Sequence, residues 1–380
     1  MRLKIAVTSP IGWPYVRRGN RFTYELAVYL ASQGHQVHYI TSKPGRVSRE
    51  KKQENLLIKY HRLFGHPLLS RLNIHFFETF VPVCLYSLSQ EKYDIVHCFL
   101  YADAFAVSLV KKFKGMALVP TLTDGIPMYW PTRFGKAMFN SVVKRASLFH
   151  APSEFVKDCF KREFHAELEV ISPPVNTEHF TPCEKKDPGI TKILFTAALH
   201  VGSKGTDMLV NAFELLLGHI PNAVLQLSGH IDDNTKRKLL KSVSPKARKV
   251  IEIKGVGLQA ALPMLYREAS ITVLPSLDEP FGMVMLESLA SGTPVVGTRS
   301  GAIPEIINDP DIGVLFDYSD GVQGLCEAML QGIELAKDPG TPLRCRTFAE
   351  QYSWKAVGPK YEDMYYRILD KIRKGDKQSS

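Results

Sequence analysis

The sequence predicts an α/β protein made of two doubly wound, parallel-sheet domains. Short apolar runs alternate with amphipathic ones at intervals of about 25–40 residues, the order expected of strands linked by crossover helices. The series breaks once, in a proline-rich stretch, and then starts afresh. A length of 380 residues exceeds one ordinary core and fits two domains of roughly 150–200 residues each. The composition, 45% apolar and 23% charged, is globular and excludes a disordered chain.

Lys4–Thr8 (KIAVT) has the continuous apolar character of a buried strand. After a loop rich in Gly and Pro, residues 21–33 place Phe22, Leu26, Ala27 and Leu30 at helical spacing, and Gly34 stops that helix. Further strands are expected at 36–41, 94–98, 117–122, 148–151 and 168–171, with helices at 101–113, 133–145 and 153–163. Parallel neighbours need such crossovers, so one open sheet should hold these strands. Residues 172–191 carry four prolines and a charge cluster without periodicity, which is linker chemistry.

The second series has strands at 192–197, 223–228, 250–254, 271–275 and 294–298, and helices at 205–218, 234–242, 259–268, 282–291 and 302–308. Residues 345–373 should form one helix, with Trp354, Tyr361, Tyr365 and Ile368 on its apolar face, and the last six residues should fray. The expected domains are therefore 1–175 and 176–355, with 356–380 returning to pack on the first. Such a pair encloses a cleft, and ligands of open α/β sheets sit beyond the carboxyl ends of the strands.

Several classes drop out. No eighteen consecutive residues are apolar, so no spanning helix is expected, and MRLKIAVTSP lacks the apolar core of an export signal. A cytoplasmic protein is expected. The six cysteines are far apart, with no Cys-x-x-Cys, and the twelve histidines contain no His-Glu-x-x-His, so reduced thiols and no bound metal are expected. No Gly-x-Gly-x-x-Gly follows the first strand, which disfavours a dinucleotide enzyme.

The net charge of +10 is unevenly placed. Residues 1–180 hold 24 Lys+Arg against 14 Asp+Glu, whereas residues 181–380 hold 24 of each. That excess points to an anionic contact: a phospholipid surface, a lipid-phosphate acceptor or nucleic acid. A solvated basic face explains the same charge. Nucleic acid has no support beyond the charge and is not expected. Aromatics beside cations at Trp130–Lys136, and the stretch Val107–Val119, suit either a membrane surface on the cytoplasmic face or helices packed on their own sheet.

The sharpest pattern lies at 275–305, PSLDEPFGMVMLESLASGTPVVGTRSGAIPE. A strand should end at Pro275, and a helix should begin near Phe281 with Pro280 in its first turn. Gly282 would let a ligand approach the backbone, and the free N–H groups there form an anion site. Glu279 precedes this helix and Glu287 sits about two turns into it, roughly 9–12 Å apart along the axis. That span suits a nucleotide sugar whose diphosphate lies on the amides between the two acids. A solvated helix with acidic early turns gives the same spacing, so Glu-x7-Glu alone leaves both open.

The whole stretch is similar to a motif of the retaining GT-B glycosyltransferases of family 4 (glycosyl transferases group 1). The matching residues are Pro275, Ser276, Glu279, Phe281, Gly282, Glu287, Ala290, Gly292, Pro294, Gly301 and Glu305. Upstream, Gly255, Leu265, Tyr266 and Ala269 resemble the preceding family segment, and Gly19 followed by Gly34-His35 resembles the loop and helix that close over the donor phosphates. The resemblance implies two facing Rossmann-like domains, the first for the acceptor and the second for the donor. It also implies transfer of a sugar, with retention of configuration, from a nucleotide-diphosphate sugar to a saccharide or lipid-linked acceptor, without cofactor or metal.

Carried over residue by residue, the catalytic set is Glu279 on the donor-sugar hydroxyls, Lys204 on the phosphates and Asp124. The donor set is Glu287 on the ribose, the Phe281, Gly282 and Met283 amides, Gly19, His200 and Gly205. His97 and Thr123 complete it at the acceptor side of the cleft. Lys204-Gly205 matches the end of the family's Gly-Arg-x4-Lys-Gly, but Leu199 holds the arginine place, with His200 beside it and Arg18 or Arg21 as other sources of charge. In the family's Thr-x-His-Asp, Asp124 matches and Thr123 replaces the histidine. A strand-end histidine bonded to backbone is an equal account of His97. The two departures leave a sugar-nucleotide-binding protein without turnover as the alternative, and a GT-B epimerase as a third.

Overall fold

The computed structural model describes residues 1–10, 12, 19–43, 49–62, 79–123, 133–183, 189–197, 204–229, 231–255 and 261–378. The chain forms two compact units, one of residues 1–172 with 357–380 and the other of residues 173–356.

In the first unit, six strands line up in the order β3-β4-β2-β1-β5-β6. These are β1 (Lys4–Ser9), β2 (Gln36–Lys43), β3 (Arg49–Gln53), β4 (Leu56–Arg62), β5 (Ile95–Cys98) and β6 (Ala117–Pro120). Every pairing is parallel except the hairpin of β3 with β4 at the edge. The hairpin was not anticipated, and its composition explains why. β3 reads REKKQ and is exposed throughout, so no apolar alternation marks it, while its charges keep the open edge from pairing with another chain. Helices α1 (Gly19–Ser32), α2 (Phe80–Ser89) and α3 (Tyr101–Lys114) pack on the sheet, α2 through Phe80, Cys84 and Leu88. Then follow α4 (Arg133–Val143), β7 (Phe149–Ala151), α5 (Glu154–Lys161) and β8 (Leu168–Val170). β7 and β8, expected in the main sheet, form a separate parallel pair joined to it by a bridge between Thr121 and His150.

The second unit is wholly parallel, in the order β11-β10-β9-β12-β13-β14. It runs β9 (Thr191–Thr196), α6 (Thr206–His219), β10 (Ala223–Ser228), α7 (Asp233–Lys241), α8 (Pro245–Lys249), β11 (Ile251–Lys254), α9 (Leu262–Glu268) and β12 (Ile271–Leu274). Next come α10 (Met283–Ala290), β13 (Val295–Thr298), α11 (Ile303–Ile306), β14 (Gly313–Phe316) and α12 (Gly321–Lys337). β12 and β13 are buried at every position, as strands covered on both faces must be.

The single helix expected at 345–373 is two: α13 (Thr341–Glu350) and α14 (Trp354–Gln378). The break is held from both sides. Val175 N–H donates to the Tyr352 carbonyl at 2.7 Å, and Ser353 Oγ accepts from the Ala356 amide at 3.3 Å, capping the second helix. From Val357 onward the chain belongs to the first unit, where Tyr361 and Tyr365 are fully buried.

Those tyrosines meet two histidines. His150 Nε2 lies 2.8 Å from the Ile171 carbonyl, which can only accept, so that nitrogen carries the proton. His150 Nδ1 therefore accepts from Thr121 Oγ1 at 2.8 Å, Thr121 accepts from His97 Nε2 at 2.6 Å, and His97 Nδ1 accepts from the Tyr365 phenol at 2.6 Å. The expectation that His97 faces a ligand is corrected here: it is fully buried, stacked on Phe99 at 4.7 Å, with both ring nitrogens bonded inside the first unit. Beside the sheet, Asp103 is also buried, accepting from Thr8 Oγ1 and from the amides of Phe99 and Leu100.

Burial holds His97 well below its ordinary pKa and His150 down to about 4, and pushes Asp103 up to about 7. Unfolded histidine titrates near ~6.5 and aspartate near ~3.9. Near pH 5 the unfolded chain holds a proton on both histidines, whereas the folded chain holds one in all, on Asp103. Stability is thus lost on acidification, at about 1.4 kcal/mol per pH unit around pH 5, while near pH 7 the Asp103 proton offsets the histidine protons and the slope is about zero. Urea unfolding of the protein at pH 7, 6 and 5 measures this, with most of the loss expected between pH 6 and 5, and no loss over that interval would contradict the protonation pattern.

Candidate active site

In a parallel doubly wound sheet, loops leave the carboxyl edge on opposite faces on either side of the switch point, and the gap between them admits a ligand. In the second unit that point lies between β9 and β12. The loop after β9 ends at Lys204 and Gly205, and the loop after β12 runs from Pro275 to Gly282. They touch at Gly205. Its φ is +65°, and a Cβ there would stand 2.2 Å from the Pro275 carbonyl oxygen, so only glycine permits the contact.

The contact delivers Lys204, whose ammonium donates to Glu279 Oε2 at 2.6 Å. The two side chains are 28% and 14% exposed, within reach of a solute. The loop after β13 secures Glu279 from behind. Gly301 has φ +61°, and a Cβ on it would lie 2.4 Å from the Glu279 amide nitrogen. Ala302 N–H then donates to the Glu279 carbonyl at 2.8 Å, and Asp278 N–H to Ser300 Oγ at 3.2 Å.

Gly282, left-handed at φ +92°, is the N-cap of α10. The helix therefore begins at Met283 rather than near Phe281, and Pro280 lies outside its first turn. Glu279 is four residues ahead of the helix, so the axial distance expected between it and Glu287 does not apply. Phe281 is buried, its ring 6.3 Å from that of Tyr352, and Met283 is half-buried. Glu287 is 5% exposed on α10, and its Oε2 accepts from the Tyr266 phenol at 2.7 Å. Ser276, at the foot of the loop, is fully buried, and its hydroxyl has no hydrogen-bond partner among the described residues.

Lys204, Gly205, Glu279, Phe281, Gly282, Met283 and Glu287 all belong to the second unit. Gly19, His97 and Thr123 belong to the first: Gly19 opens α1, and Thr123 is half-buried two residues beyond the His97–Thr121 bond. Arg21 on α1 is engaged with Glu25 at 2.7 Å. Asp124, His200, Leu199 and Arg18 lie outside the described residues, as does Trp130. Sequence patterning assigned no role to Tyr266 or Gly301. Both stood in the matched motifs, and only three-dimensional contact shows that they hold Glu287 and Glu279. Among the described residues, no three His, Cys, Asp or Glu side chains group as metal ligands, and no helix is long and apolar enough to cross a membrane.

Two family profiles match successive parts of the chain: "Glycosyltransferase Family 4" over residues 19–179 and "Glycosyl transferases group 1" over residues 190–334. The chain belongs to glycosyltransferase family 4. As a family-4 glycosyltransferase it transfers a sugar from a nucleotide sugar, and its fold is GT-B. It is 26% identical over 397 aligned positions to the N-acetyl-alpha-D-glucosaminyl L-malate synthase of Bacillus anthracis, covering 99% of this chain and 100% of that one. It is 25% identical to the D-inositol 3-phosphate glycosyltransferase of Paenarthrobacter aurescens, over 88% of this chain and 89% of the relative. To another such enzyme, from Pseudarthrobacter chlorophenolicus, it is 32% identical over about half the length of each, 54% and 51%. Among solved structures, sucrose-phosphate synthase from Thermosynechococcus elongatus superposes with a TM-score of 0.80 at 19% identity, over 97% of this chain. Anabaena HepE, in complex with UDP and glucose, gives 0.73 at 15%.

The two tight glycines give a direct test of this family-4 site. Gly205→Ala and Gly301→Ala each force a side chain into a carbonyl or amide at a left-handed position, which should cost on the order of 2–3 kcal/mol. Urea unfolding should report that loss, whereas Gly218→Ala, where a Cβ meets nothing within 4 Å, should stay within about 1 kcal/mol of the parent.

Proposed function

We propose that the chain is a retaining glycosyltransferase whose donor lies at the switch point of the second unit. The carrying observation is the Lys204–Glu279 pair beside the turn that opens α10. A nucleotide-diphosphate sugar offers matching chemistry to each part: sugar hydroxyls for Glu279, phosphate oxygens for the Lys204 ammonium and the Gly282–Met283 amides, and ribose hydroxyls for Glu287. In the transfer, the bond between the anomeric carbon and the phosphate oxygen breaks, the acceptor oxygen bonds to that carbon, and the acceptor's proton leaves with the diphosphate. Negative charge grows on the diphosphate, so the fixed ammonium and amide dipoles act where the barrier is set. With those groups neutralising the leaving group, the reaction requires no bound metal, and chelator should leave the rate unchanged.

For the acceptor, we favour a hydroxyl compound that also carries negative charge. The relatives are named for L-malate and D-inositol 3-phosphate, both anionic and hydroxylated, and residues 1–180 hold ten more cations than anions, 24 against 14. A saccharide on a lipid phosphate at a membrane surface offers the same pairing of hydroxyl with anion.

Thermal-shift screening against UDP-, GDP- and ADP-sugars should single out one nucleotide, because specific ligands stabilise in proportion to their affinity. With that donor, Lys204→Ala and Glu287→Ala should each lower kcat/KM by about 10²–10³ without changing the fold. Near-parental rates in both variants would overturn the assignment.

A further inference from the structure

We propose that Tyr266 is a positioning residue that makes the donor site select ribose over 2′-deoxyribose. The proposal rests on Glu287 as the ribose ligand and adds what makes that carboxylate selective. A carboxylate only 5% exposed must have its acceptor directions filled, and the Tyr266 phenol fills one at 2.7 Å on Oε2. Because the phenol donates, it holds the Glu287 carboxyl in a fixed plane as an acceptor. A vicinal diol presents two donors to that plane, and a 2′-deoxyribose presents one.

The phenol can orient Glu287 because it is itself immobile. Tyr266 is fully buried on α9, its ring packs edge-on against Phe180 at 5.7 Å, and its carbonyl accepts from Thr293 Oγ1 at 2.7 Å. Thr196 Oγ1, in the last residue of β9, lies 3.4 Å from the same phenol oxygen. With the Tyr266 proton committed to Glu287, Thr196 is the donor in that contact. The chain of donors thus runs from the strand that leads to Lys204, through Tyr266, to the carboxylate on α10. A rotamer change at Glu287 would have to break the central link.

Calorimetric titration with UDP, 2′-deoxy-UDP and inorganic pyrophosphate tests this in the parent, Tyr266→Phe and Glu287→Gln. GDP or ADP with its 2′-deoxy form replaces the uridine pair if thermal shift favours that base. The parent should prefer the ribonucleotide by about tenfold or more, the scale of a lost hydrogen bond in a buried site. Tyr266→Phe, which keeps the ring contacts, should lose about fivefold or more for the ribonucleotide and less than about twofold for the other two ligands. If Tyr266→Phe weakens all three alike, or none, while Glu287→Gln abolishes the ribose preference, the phenol is only a packed group and the ribose assignment stands. If Glu287→Gln keeps the parental preference, or the parent has none, both fall.

Discussion

The site depends on one close approach of backbone to backbone. Where Gly205 meets the Pro275 carbonyl, there is no room for a β-carbon, and two loops from adjacent strands are held against each other. The Lys204 ammonium takes its place from that contact. Lys204 precedes the glycine and so reaches Glu279, whose backbone is pinned from the far side at Gly301 and Ala302. The sheet supplies the rest, since the strand order puts the ends of β9 and β12 side by side.

The ion pair formed there is geometric more than energetic. Both partners keep some contact with water, and such pairs contribute at most about 1 kcal/mol to folding. Its value lies in keeping an ammonium and a carboxylate at one fixed place with little desolvation. Under the proposed chemistry, phosphate oxygens and sugar hydroxyls exchange for each other's counterpart at small net cost. Glu287 is different: it is nearly buried, and its Oε2 accepts from the Tyr266 phenol.

Much of this was legible in the sequence because parallel strands covered on both faces are continuous apolar runs, and because Gly205, Glu279, Gly282 and Glu287 stand at fixed offsets from such runs. The strand Leu56–Arg62, the helix Phe80–Ser89, the strand Gly313–Phe316 and the helix Gly321–Lys337 were not read from the sequence, and three other differences have a plain physical cause. β3 escaped because an edge strand with every residue exposed has no alternation to detect. The start of α10 shifted from Phe281 to Met283, since a left-handed glycine at 282 rather than Pro280 sets the helix entry. Partners distant in sequence, such as His97 with Tyr365 or Tyr266 with Glu287, leave no local periodicity, so a core histidine resembles a ligand-facing one until its neighbours are known.

The run of bonds from Tyr365 through His97, Thr121 and His150 to Ile171 ties the end of the chain into a unit that begins at residue 1. The second unit, by contrast, is one uninterrupted segment. During synthesis on the ribosome it is therefore complete in sequence while the earlier-made unit still lacks its closing helix. Until that helix emerges, the imidazole of His97 in the amino-terminal half lacks the Tyr365 phenol, although the second unit is already complete in sequence.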